Sequence, residues 1–66
     1  MKLFSYAIIW HPTKEQEKEG VKSKILKDPE WILEKTDKLV GMRAIREIPE
    51  EYADQLDQVE IAVAPF

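Results

Sequence analysis

The stretch that decides the fold is LFSYAIIW, residues 3 to 10. In a β-strand, alternate side chains point to opposite faces of the sheet. One face then carries Phe4, Tyr6, Ile8 and Trp10, and the other carries Leu3, Ser5, Ala7 and Ile9. A strand that is apolar on both sides is typical of the middle of a sheet. A chain of 66 residues can cover one face with a helix but has little sequence left for the other, which points to a partner.

The segment after this strand predicts a loop and then an edge strand. Residues 13 to 24 are rich in lysine and glutamate and poor in apolar residues, so we expect a mobile, solvated loop. Ile25 and Leu26, and then residues 31 to 33, predict a second strand or strand pair interrupted at Asp28 and Pro29. Proline within a strand is tolerated chiefly at an edge or a bulge, so this strand belongs at the side of the sheet.

A helix and a last strand complete the pattern. Thr36 and Asp37 are favourable helix N-cap residues, and the helical period continues to Ile48. The helix face predicted to enter the core carries Val40, Gly41, Ala44, Ile45 and Ile48. Pro49 suits the first position of a new helical turn, and residues 58 to 64 alternate as a strand. The sequence therefore predicts one α+β domain over residues 1–66, with ββαβ order, one helix on one face, and an antiparallel three-stranded sheet in the order 2-1-3.

Composition restricts both the stability and the partners of the chain. A domain of this length buries only about 60% of its unfolded surface and is marginally stable alone. There is no cysteine and one histidine, which excludes disulfides and argues against structural zinc, so oligomerisation or docking onto a larger protein is expected. The net charge of −3 disfavours nucleic-acid binding. No segment has the length for a membrane span, and we expect a soluble protein of a reducing compartment, although the absence of cysteine also suits an extracellular particle.

The sequence carries no catalytic signature. His11 has only Thr13 and Glu15 as polar neighbours along the chain, at no spacing that a hydrolase or metal site uses, and a histidine at a strand end is the simpler interpretation. The acidic residues between 50 and 60 lack the spacing of a cation-binding loop. Gly20 and Gly41 are isolated, so there is no phosphate-binding loop. We therefore expect no enzymatic activity, cofactor or metal.

Two sets of residues are candidates for binding. Lys38, Arg43 and Arg46 could hold an anion from one side of the helix, or could instead pair with acidic residues at 47, 50 and 51. Trp10 is expected to fill the core, whereas Trp31 suits either the core or an interface. The sheet face without a helix is the predicted interface, and it consists of Leu3, Ala7, Ile9, Trp31, Ala62, Ala64 and Phe66. Partner-strand addition at a free edge is a second possible mode of docking.

The C-terminal third carries a resemblance. The segments RAIREIPEEY (residues 43–52) and LDQVEIAVAPF (residues 56–66) resemble a group of short, uncharacterised proteins of tailed bacteriophages, as does FSYAII at residues 4–9. The group brings no catalytic residues. The resemblance implies a viral setting, in the virion or the host cytoplasm.

Two functional hypotheses follow. The first is a structural accessory of a phage particle, a capsid or tail decoration or cement protein attached through the open sheet face and present in many symmetric copies. The second is an early antagonist that sequesters a host defence or regulatory protein, or a small anionic signalling molecule, and that forms a small oligomer. Both predict a protein partner and homo-oligomerisation, and the sequence leaves open whether a second copy or another protein covers the face.

Overall fold

The computed structural model describes residues 1–65, and its sheet has the predicted topology. The elements are β1 (Lys2–Trp10), α1 (Lys14–Lys18), β2 (Lys24–Glu34), α2 (Asp37–Ile45), a 3-10 helix (Glu50–Gln58) and β3 (Val59–Pro65). The three antiparallel strands lie in the order β2-β1-β3, with helix α2 packed on one face. The ββαβ prediction is confirmed. The predicted C-terminal interface residue, Phe66, lies outside the described residues.

The core lies between the sheet and α2. From β1 it takes Phe4 and Tyr6, each 5% exposed, and from α2 it takes Val40 and Ala44, both fully buried. Partly buried residues of the outer strands complete this layer: Ile32, Ile61 and Val63. Val40 and Ala44 stand four residues apart, so they meet the sheet along one stripe of the helix. The first half of the central strand, with Phe4 and Tyr6, thus owes its helix-side burial to a single nine-residue helix.

Helix α2 is shorter than its sequence pattern predicts. The Thr36 side chain accepts a hydrogen bond from the backbone N–H of Leu39 and caps the helix as expected. The helix ends at Ile45 instead of Ile48, and the Ile45 side chain is 55% exposed. The prediction that Ile45 enters the core is wrong, because it lies about 100° around the helix from Ala44 and so falls outside the stripe that contacts the sheet.

The segment predicted as a mobile loop contains helix α1. The Thr13 hydroxyl accepts from the backbone N–H of Gln16, and the Gln16 side chain accepts from the backbone N–H of Thr13. These reciprocal bonds form a capping box, which a T-x-x-Q spacing encodes. Gly20, with φ of 91°, follows the helix in a conformation that glycine adopts without strain. The loop prediction is wrong because it was based on the low apolar content of the segment and did not consider the capping box of Thr13 and Gln16.

The 3-10 helix covers the far end of β1. Pro49 precedes it as the N-cap residue, and its path kinks at Gln55. At the kink, the Gln55 side-chain oxygen accepts a hydrogen bond of 2.9 Å from the Trp10 indole Nε1. The Tyr52 ring lies 6.3 Å from the Trp10 ring. Trp10 is 5% exposed, so the prediction that it fills the core is confirmed.

Strand β2 runs through Asp28 and Pro29 as one strand. Its register against β1 shifts on either side of Ile8, which pairs with Lys27. The prediction of an edge position is confirmed, and at the predicted interruption the strand continues with two shifts of register instead of a break.

Candidate protein-binding surface

The sheet face opposite α2, called the open face below, is fixed by the pairing register. Ser5 lies between Trp31 on β2 and Ala64 on β3, and the next positions on this side of β1 pair in the same way. Residues directly opposite in neighbouring strands share one face of a sheet. The open face therefore consists of Leu3, Ser5, Ala7, Ile9, Ile25, Trp31, Leu33, Glu60, Ala62 and Ala64.

One side of the open face is a ridge of large apolar side chains on β2. The ridge consists of Ile25, Trp31 and Leu33, whose exposed fractions are 64%, 59% and 57%. Exposed apolar residues scattered singly are ordinary on a protein surface, whereas groups of them mark binding surfaces. Trp31 and Leu33 are neighbours on one face of β2, and Ile25 lies farther along the same face, opposite Ile9. Tryptophan in particular is enriched among the residues that dominate interface energetics.

The other side of the open face is a depression of small side chains on β1 and β3. The depression consists of Ser5, Ala7, Ala62 and Ala64, which pair across the two strands. Ala7, opposite Ala62, is only 7% exposed. The open face thus has a step in height, from the ridge on β2 to the depression on β3.

Six of the seven predicted interface residues lie on the open face: Leu3, Ala7, Ile9, Trp31, Ala62 and Ala64. The prediction missed two residues of the ridge, Ile25 and Leu33. Strict alternation from Trp31 would have found both, because the two register shifts in β2 add to two residues between Ile25 and Trp31, and a shift of two residues preserves the face. Lys27 lies between the shifts and turns to the helix side instead, where its Nζ is 5.8 Å from the centre of the Tyr6 ring.

A polar cluster lies on the helix side of the sheet. The Tyr6 hydroxyl donates a 2.5 Å hydrogen bond to Glu47 Oε2, and Lys27 Nζ lies 3.6 Å from the other oxygen of the same carboxylate. Burial raises the pKa of Tyr6, and the bond to Glu47 raises it further. Lys27 also lies 2.7 Å from Glu30 Oε2, and this hydrogen bond raises the pKa of Lys27. The cluster connects Glu47, two residues after the end of α2, to the sheet.

The predicted anion-binding residues are only partly brought together. Arg43 and Arg46 line a shallow cleft of about 280 Å³, and Lys38 is not among its lining residues. Arg43 Nη1 donates to Glu34 Oε2 at 3.1 Å. The expected partners of Arg43, acidic residues at 47, 50 and 51, are wrong for this contact, because the side chain reaches across to the strand instead of along the helix. Glu47 also lines the cleft, so carboxylates already offset part of its positive charge.

His11 bridges two elements. Its Nδ1 lies 3.1 Å from Ser23 Oγ, and its Nε2 lies 2.6 Å from Glu60 Oε1. This is the order hydroxyl, imidazole, carboxylate, and the sequence analysis missed it because the three residues are far apart along the chain. The side chains of His11 and Glu60 are 46% and 54% exposed, whereas nucleophilic catalysis depends on a site that excludes water and aims N–H groups at the developing oxyanion. These side-chain contacts connect β3 to the end of β1.

A second, smaller apolar groove lies on the helix side at the β3 edge. It has a volume of about 240 Å³ and is lined by Ile45, Ile48, Leu56, Val59 and Ile61. Leu56 is 53% exposed, so the groove is open to solvent. Residues of α2 and the 3-10 helix form part of its walls.

Within residues 1–65, no group of three or more histidine, cysteine, aspartate or glutamate side chains could hold a metal ion. None of the helices described is long and apolar enough to cross a membrane. Comparison of the chain with protein-family models, with curated proteins and with solved structures gave no match.

Proposed function

We propose that this chain is a non-enzymatic accessory protein of a phage particle, a capsid or tail decoration that works through protein–protein contact at its open face. The observation that carries the proposal is the exposed ridge of Ile25, Trp31 and Leu33. The viral setting comes from the resemblance of the C-terminal third to tailed-phage proteins. The ridge itself argues only for a protein partner.

The energetics favour a protein that gains stability on assembly. Small domains that lack disulfides and metals are marginal on their own. Fully burying one large apolar side chain contributes about 1.5–3 kcal/mol. The three ridge residues are each more than half exposed, so covering them adds an amount comparable to the whole stability of a small domain. Assembly on a particle would supply that cover for many copies at once.

The test compares one substitution at two alanines. Ala62→Glu places a charge in the depression, and Ala53→Glu places the same charge on the exposed 3-10 helix. We expect Ala62→Glu and Trp31→Ala to abolish co-sedimentation with purified particles, because a buried unpaired carboxylate and a missing anchor both weaken an interface. Ala53→Glu should sediment with the particles like the wild type. Circular dichroism of each variant checks that α2 remains folded.

Two outcomes would overturn the proposal. In one, mass spectrometry finds the chain in infected-cell lysate but not in purified particles. In the other, both open-face variants bind the particles as well as the Ala53→Glu control does. Phe66→Ala is a further variant at the predicted interface, and it should reduce attachment.

The alternative function is sequestration of a host protein or a small anionic molecule. The observation in its favour is that Arg43 and Arg46 line one cleft with the Tyr6 ring. Glu34 and Glu47 weaken this case, because their carboxylates compete with an incoming anion. Arg43→Ala together with Arg46→Ala would leave particle attachment unchanged under the first proposal. The same pair would abolish antagonism of the host under the second.

A further inference from the structure

We propose that a second copy of this chain covers the open face, in a two-fold dimer whose axis runs parallel to the strands. The inference rests on the proposed function, because it names the protein that covers the open face before the particle does. On the particle, the particle protein replaces the second copy at this face. The argument depends on the step in height between the ridge on β2 and the depression on β3.

A two-fold axis between two facing sheets runs parallel to the sheets, and in only two orientations does it keep the strands of the two copies aligned. An axis parallel to the strands exchanges left and right, so β2 of one copy lies over β3 of the other. An axis in the same plane but perpendicular to the strands places β2 over β2 and β3 over β3. Because β2 and β3 are the two outer strands, the two arrangements bring different side chains together.

The step in height selects the first arrangement. With the axis parallel to the strands, each level of one sheet faces the same level of the other, so Trp31 of one copy lies over Ala64 and Ser5 of its partner. Packed sheets lie about 10 Å apart with interdigitating side chains. At the level of Trp31 and Ala64, one large and one small residue fill that distance. The perpendicular arrangement stacks the ridge of one copy on the ridge of the other and leaves a void over the alanines of β3. The open face is therefore better matched to itself when the axis runs parallel to the strands.

The charge distribution agrees with a dry interface. Among the register positions of the open face in the described chain, Glu60 is the one charged residue. Its carboxylate is held 2.6 Å from His11 Nε2 at the end of the sheet. A charge at the rim, turned toward its own chain, costs an interface little, because rim charges remain hydrated.

The area of the face predicts a weak dimer. Strand spacing and rise give the three paired strands an outline of about 400 Å² in each copy. The projecting ridge enlarges this, so a dimer buries on the order of 1,000 Å² in total, at the lower limit of specific interfaces. We therefore expect dissociation on dilution between about 1 mM and about 1 µM, where weak complexes fall.

A size exchange tests the arrangement. Trp31→Ala removes the ridge anchor and should weaken dimerisation by about tenfold or more, as expected for a central tryptophan. Ala64→Trp fills the depression and should weaken it similarly, because the new ring meets Trp31 of the partner. The double variant, Trp31→Ala with Ala64→Trp, exchanges large and small and should restore the dissociation constant to within about threefold of wild type. Light scattering at several concentrations measures all four proteins, and circular dichroism checks their fold.

Wild-type protein supplies a test that needs no variant. On dilution, the NMR signals of the Trp31 indole and of the Ala62 and Ala64 methyl groups should shift together, while those of Val40 and Ala44 stay fixed. A wild type that remains monomeric at about 1 mM overturns the dimer. So does a double variant no tighter than the single variants. Particle co-sedimentation of wild-type protein then separates the two proposals, because a monomer that still binds particles leaves the proposed function standing.

Discussion

The two faces of one sheet carry similar apolar residues with opposite outcomes. On the helix side, Ile8 is completely buried, and Tyr6 and Trp10 are each 5% exposed. On the open face, Ile25 and Trp31 are 64% and 59% exposed. The difference lies in what covers them, because α2 and the 3-10 helix both pack on the same side. The helix side therefore supplies most of the core of the monomer, and the open face leaves large apolar side chains exposed to solvent.

The largest test of this comparison is one substitution made on each face. Ile8→Ala removes three buried heavy atoms beneath the helix layer and should lower the free energy of unfolding by about 2–5 kcal/mol. Ile25→Ala removes the same atoms from an exposed position and should change it by no more than about 0.5 kcal/mol. Urea denaturation at micromolar concentration measures both for the monomer. Equal losses would mean that the open face is already part of the folded core.

A smaller effect should come from the polar cluster on the helix side. Tyr6→Phe removes the hydroxyl that donates to Glu47 and should lower the free energy of unfolding by about 1 kcal/mol at neutral pH. Tyr52→Phe is the matched control, because Tyr52 contacts Trp10 through its ring. The control should leave the hydrogen bond between Tyr6 and Glu47 intact.

The same cluster predicts a loss of stability in alkali. The pKa of Tyr6 is raised above 10.0 in the folded chain, because burial and the bond to Glu47 favour the protonated phenol. The unfolded chain releases this proton first, so the contribution is fully present below pH 10 and declines as pH rises through the folded pKa. The pKa of Lys27 is also raised above its usual 10.5, chiefly by the hydrogen bond to Glu30. The stability that Lys27 contributes is therefore also lost as the pH rises through its folded pKa. Denaturation at pH 8 and above pH 10 should show a smaller alkaline loss for Tyr6→Phe than for wild type, and an equal loss would contradict the assignment.

The topology was predictable because the clearest patterns in the sequence show which strand is buried on both faces and which strand lies at an edge. A strand apolar on both faces had to be central, and a proline-bearing strand had to be at an edge. The ends of the helical elements were less predictable. Ile45 fits the helical period and yet is exposed, because the period does not say how wide a stripe the sheet covers. Helix α1 has no buried residue, so only its capping box could reveal it.

The candidate surface was predictable in composition and not in shape. Alternation assigned Leu3, Ala7 and Ala62 to one face, and the register agrees. The step from ridge to depression depends on which strand lies on which side of β1, and it emerges only when register and strand order are known together. The contacts of His11 with Ser23 and Glu60 were beyond the sequence for the same reason, since they join residues 12 and 49 positions away.

The smallest expected effect comes from two adjacent residues of β2 that face opposite sides. Leu33→Thr trims an exposed side chain and should leave the free energy of unfolding within about 0.5 kcal/mol of wild type, whereas Ile32→Thr on the helix side should lower it by about 1 kcal/mol. Threonine is β-branched, as strands favour, so neither change should lower strand propensity and each tests mainly burial. Leu33→Thr should nevertheless weaken self-association in light scattering, because it lowers the ridge. A Leu33→Thr variant that lost stability and kept its association would reverse the roles of the two faces.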